Sequence, residues 1–97
     1  MKVVINTCYG GFGLSDLAKE RYLELAGCKP KSWQDLSRND KALVKVVEEL
    51  GELANGPYAK LEIVDVETGV WYRINEYDGN EEIWYKFFDY DWKQATD

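Results

Sequence analysis

Between Ser37 and Pro57 the apolar residues Leu43, Val46, Val47, Leu50, Leu53 and Ala54 recur at intervals of three and four. That spacing aligns side chains on one face of an α-helix, so the stretch predicts an amphipathic helix. Lys41, Lys45, Glu48, Glu49 and Glu52 fill the remaining faces as an ordinary solvated surface. Ser37, Asn39 or Asp40 can cap its start, Asn55-Gly56 offers a left-handed end, and Pro57 stops it. A second helix is predicted from Asp16 to Ala26, with Ser15 as N-cap, Gly27 just beyond the end, and Leu17, Ala18, Leu25 and Ala26 as its apolar stripe with Tyr22 at the margin. Between the two, Ser32 followed by Asp35 can cap only a single turn carrying Trp33.

After Pro57 the period drops to two, and strands are predicted at 59–66, 70–77 and 82–90. Asp78-Gly79 suits a two-residue type I′ hairpin. With those two residues as the loop, Tyr77 faces Asn80, Ile74 faces Ile83, Tyr72 faces Tyr85 and Val70 faces Phe87, giving the hairpin one apolar face. On its other face Arg73 falls opposite Trp84 and Lys86 opposite Trp71, pairs suited to cation–π contact. The "VETGV" turn is read as an even-length loop that buries Leu61 and Ile63; an odd loop would bury Val64 and Val66 instead. Adding "KVVIN" as a first strand gives the order β-α-α-β-β-β. The expected fold is therefore a single α+β domain over residues 1–97, with the two helices laid on one face of a mostly antiparallel sheet as a two-layer structure.

Ninety-seven residues are one domain's worth of chain, able to bury roughly 60 to 65% of its unfolded surface. The opening "MKVVIN" lacks the apolar run of a signal peptide or a membrane span, so a cytoplasmic setting is expected, with no membrane partner. Cys8 and Cys28 lack the spacing of a disulfide framework or a zinc site, and no metal or cofactor is expected. The net charge of −6 disfavours direct nucleic-acid binding. Its distribution is more informative. Residues 1–75 hold eleven acids against ten bases, whereas 76–97 hold seven acids against Lys86 and Lys93. Nine of the fourteen aromatics also lie between Trp71 and Trp92, so the acidic end is the aromatic end.

Candidate chemistry is sparse. Gly10, Gly11 and Gly13 sit between a strand and a helix N-terminus, the parts of an anion site, and with Ser15 they form a candidate ligand-binding loop for a nucleotide. The pattern matches neither G-x-G-x-x-G nor a P-loop, since no lysine follows. A structural reading, in which the glycines permit positive backbone angles or let Phe12 tuck under the sheet, is the stronger one. The chain has no histidine, and its paired acids Glu48-Glu49 and Glu81-Glu82 are adjacent and so diverge; no catalytic residue is assigned and no enzyme is expected.

Three stretches, "INTCYGGFGLSD", "LVKVVEELGELANGPYAKLEIVDV" and "INEYDGNEE", together about 45 residues, resemble a family of small proteins encoded by bacteriophages and prophages. The chain differs from that pattern in a shorter connection between its helices and in "WYKFFDYDWKQATD", which replaces a more basic ending. The resemblance brings no activity. It implies a protein acting inside a bacterial host, against a host system such as a CRISPR or restriction defence. The corresponding expectation is an inhibitor whose acidic, aromatic end occupies a basic nucleic-acid-binding surface on a host protein. Glu76, Asp78, Glu81, Glu82, Asp89 and Asp91 would supply the charge, and Trp84, Tyr90 and Trp92 the stacking and buried area. Self-association through Trp71, Trp84 and Phe88, giving a homo-oligomer, is the remaining alternative.

Overall fold

The computed structural model describes residues 1–86 and 93–94. It is an α+β structure with strand β1 at Lys2–Asn6, helix α1 at Asp16–Ala26, helix α2 at Lys41–Leu50, and strands β2 at Leu61–Asp65, β3 at Trp71–Tyr77, β4 at Asn80–Lys86 and β5 at Lys93–Gln94. Short 3-10 turns cover Trp33–Asp35 and Gly51–Ala54. The first four strands and both helices follow the expected order. The strands form two separate antiparallel sheets: a β1–β2 ribbon and a sheet in the order β4-β3-β5.

Local chemistry sets the helix limits. The Ser15 hydroxyl accepts from the Ala18 amide at 3.1 Å, and Gly27, at φ 77°, closes α1 by donating to Leu23. Asp40 proves to be the cap of α2, its Oδ1 accepting from Ala42 at 2.8 Å and Leu43 at 3.1 Å. The α-helix ends earlier than the apolar spacing suggests. Gly51 takes φ 56° and ψ −127°, a conformation open in practice only to glycine, and the chain tightens into a 3-10 turn. Leu53 consequently points to solvent, 66% exposed, while Ala54 stays fully buried. In α1 the buried stripe is Ala18 and Tyr22, with Leu17, Leu23 and Leu25 exposed. A small residue and a flat aromatic one, four apart, let the helices come close.

The β1–β2 ribbon is buried on both faces, which resolves the choice posed by the "VETGV" turn. Strands β2 and β3 do not pair, so that turn sets no hairpin register. Leu61 and Ile63 join Val4 against the helices, in a cluster with Leu43, Val46 and Val47. Val64 and Val66 join Val3 and Ile5 against the β3–β4 hairpin, where Tyr72, Ile74 and Ile83 meet them. Both alternate sets are therefore used. The hairpin register agrees with the sequence reading pair for pair from Tyr77↔Asn80 to Trp71↔Lys86, and Asp78 and Gly79 both have positive φ, 51° and 89°, as a type I′ turn requires. The expected Val70–Phe87 pair lies outside the described residues.

Candidate functional site

Two assemblies bear on function: the glycine loop after β1 and the two faces of the hairpin. The loop proves to be a socket. Gly11 holds φ 92°, Phe12 is buried in the helical cluster, and a Cβ at Gly10 would lie 2.0 Å from the Tyr58 carbonyl oxygen. The tip of the hairpin presses on it from the other side. A Cβ at Gly79 would come within 2.6 Å of both the Gly11 nitrogen and the Tyr9 oxygen. Fully buried Asn6 joins these parts, its Nδ2 donating to the Cys8 oxygen at 2.7 Å and to the Gly79 oxygen at 2.6 Å, its Oδ1 accepting from the Lys60 amide at 2.8 Å.

The same geometry ties the loop to the rest of the chain and occupies the two Ser15 donors an anion would use. Gly13 gives its carbonyl to the Gly56 amide at 2.9 Å, Ser15 gives its amide to Ala54 at 2.9 Å, and the Ser15 hydroxyl donates to Leu53 at 2.6 Å while capping α1. The candidate ligand set Gly10, Gly11, Gly13 and Ser15 is thus built into contacts with the 53–58 segment and the hairpin.

Strand alternation divides the candidate partner-binding acids between the two hairpin faces. Glu76 and Glu81 stand opposite each other on the inward face, with Tyr72, Ile74 and Ile83; Glu82 and Trp84 lie on the outward face with Trp71, Arg73 and Tyr77; Asp78 is at the exposed tip. Glu81 must be removed from the acidic surface. It is 8% exposed, paired with the Arg38 guanidinium, and its Oε1 accepts from the Asn6 amide at 2.8 Å. Arg38 in turn stacks on Phe12, its guanidinium carbon 3.7 Å from the ring centre. Sequence reasoning missed this cluster because a Glu-Glu pair in an acidic stretch carries no mark of which member turns inward. The period-two register held the signal, since the face that carries Ile74 and Ile83 also carries Glu81.

The outward face is a mixed aromatic and polar surface. Trp71 and Trp84 are 42% and 43% exposed and Tyr77 is 76% exposed. The Arg73 guanidinium lies 5.4 Å from the Trp84 ring centre, as the register predicted, and the Trp84 indole N–H donates to Glu82 Oε1 at 2.6 Å. Glu76 Oε1 accepts from the Gly79 amide at 3.3 Å, stiffening the tip. A polar hollow of about 140 Å³ opens between Tyr9, Asn75, Tyr77, Asn80, Glu81 and Glu82. Of the other expected partner-binding residues, Asp89, Tyr90, Asp91 and Trp92 lie outside the described residues, as does Phe88 of the self-association alternative.

A larger hollow, about 380 Å³, lies between the 35–39 connection and β3, lined by charges of both signs in Asp35, Arg38 and Arg73. Among the described residues no group of three or more His, Cys, Asp or Glu could hold a metal ion, and no helix is long and apolar enough to cross a membrane. Comparison of the chain with protein-family models, curated proteins and solved structures returned no match.

Proposed function

We propose that this chain is an interaction protein that presents the outward face and tip of its β3–β4 hairpin to a basic surface on a protein partner. The observation that carries the reading is the placement of Trp71, Trp84 and Tyr77, all substantially exposed, on one strand face beside Glu82 and next to Asp78. Aromatic side chains of this kind supply most of the energy of a protein interface, and exposed apolar area gathered on one face marks a contact surface. Asp78 at the tip and Glu82 on the outward face supply the negative field that steers a basic partner. The resemblance to bacteriophage-encoded proteins supports a partner in a bacterial host, where the nucleic-acid channel of a defence nuclease has the required chemistry. On this reading the protein inhibits by occupying that channel.

The test is affinity capture from bacterial lysate on the immobilised protein, with Trp84→Ala and the double reversal Asp78→Lys/Glu82→Lys as parallel baits. A host protein retained by the parent chain, released by raising the salt well above about 0.15 M and lost from both variants, is the expected result. Retention unchanged by salt and by both variants would move the interface away from the hairpin.

A further inference from the structure

The two sheets share no ladder, and the body and the hairpin are joined by a different kind of bond. Strand β1 has one edge paired to β2. From its other edge the amides of Val4 and Asn6, two residues apart, point the same way. Val4 donates to the backbone oxygen of Arg38 at 2.7 Å, within the helical body. Asn6 donates to the carboxylate of Glu81, on the hairpin. Among the described residues, further polar ties are the Asn6 amide group on Gly79 and the Arg38–Glu81 ion pair. Each of these three ties runs through a side chain. The apolar contact beneath is a small cluster around Val3, Ile5, Val66 and Tyr72, separate from the larger one that holds the helices.

We propose that the β3–β4 hairpin is a hinged unit that undocks from the β1–β2 ribbon while the helical body stays folded, with Glu81 as the latch. Its hinge is the 67–70 turn, closed by Val70 donating to Glu67 and passing through Gly69 at φ 93°. Segments that open below the global free energy are those with few buried apolar contacts and no shared backbone ladder, and this hairpin meets both conditions. Undocking carries the outward face away with the hairpin and uncovers Val3, Ile5 and Val66. The inference is independent of the proposed function, because it rests on the inward face alone.

Native-state amide hydrogen exchange on the full chain tests it, because Val4 and Asn6 report the two regimes from one strand edge. The expected result is that Asn6, whose amide bonds across to Glu81, exchanges faster than Val4, Val46 and Val47, through an opening with a smaller denaturant dependence than theirs. Glu81→Gln keeps an acceptor for Asn6 and removes the ion pair; it should speed the Asn6 amide by at least about tenfold, with Val4, Val46 and Val47 still exchanging more slowly than Asn6. The parent-chain comparison of Val4 with Asn6 stands alone if the variant does not fold. Equal exchange at Val4 and Asn6 through one denaturant-sensitive opening would make hairpin and body a single cooperative unit and overturn the proposal.

Discussion

Gly79 is the residue on which two separate constraints meet. Its φ of 89° belongs to the hairpin turn, and a Cβ there would also strike the backbone of Tyr9 and Gly11 at 2.6 Å. The turn requirement was legible from the Asp-Gly pair alone. The close approach was not, since nothing local connects residue 79 with residue 11. Backbone strain by itself costs about 1 to 3 kcal/mol, and overpacking against rigid backbone adds a similar amount. Gly79→Val should therefore destabilise by roughly 3 to 5 kcal/mol in chemical denaturation, more than a turn defect alone. A loss under about 1 kcal/mol would mean that the tip does not sit in the glycine socket. The same socket accounts for two of the loop glycines: Gly10 lets the Tyr58 backbone pass against it, and Gly11 takes a positive φ of 92°.

At the scale of elements, α1 and α2 are tied at two points. Arg21 makes a forked contact with Glu49, Nε to Oε2 at 2.8 Å and Nη2 to Oε1 at 3.2 Å, which draws the Glu49 carboxyl below its ordinary pKa. The Tyr22 hydroxyl donates to Asp40 Oδ2 at 3.0 Å, and its ring meets Trp33 edge-on at 5.5 Å. Burial first, and then that hydrogen bond, push the Tyr22 pKa up to about 12. A raised pKa means that the folded state holds its proton longer than the unfolded chain does. The stability it contributes is complete below the unfolded value near 10 and is lost as pH climbs from there toward about 12. Denaturation midpoints should thus fall between about pH 10 and 12 more steeply in the parent chain than in Tyr22→Phe, and equal slopes would contradict the contact. Tyr22 also shows why the stripe of α1 was misread. Hydrophobicity points to the leucines, whereas close helix approach favours Ala18 and an aromatic that can send its hydroxyl to a partner. For α2 the spacing was read well but its end was not, because periodicity cannot show that Gly51 will leave helical geometry.

At the scale of the whole molecule, the charge surplus of the last quarter splits by burial. Of the acids there that the structure describes, Glu76, Asp78 and Glu82 reach solvent, whereas Glu81 is the polar centre of the contact between hairpin and body. Composition revealed the surplus; only the three-dimensional register divides it. The β order and the hairpin were readable because tight turns and period-two alternation are local. The splitting of the strands into two sheets was not, since it depends on both faces of β1–β2 being covered from opposite sides.

The central claim is that two adjacent glutamates have opposite jobs, and paired substitutions test it directly. In chemical denaturation of the purified chain, Glu81→Ala should lower stability by about 3 kcal/mol, because it leaves Arg38 and the Asn6 amide without their buried partner. Glu82→Ala, at an exposed position, should change it by less than about 0.5 kcal/mol. That asymmetry is what the account predicts; equal effects, or a larger loss at Glu82, would contradict it.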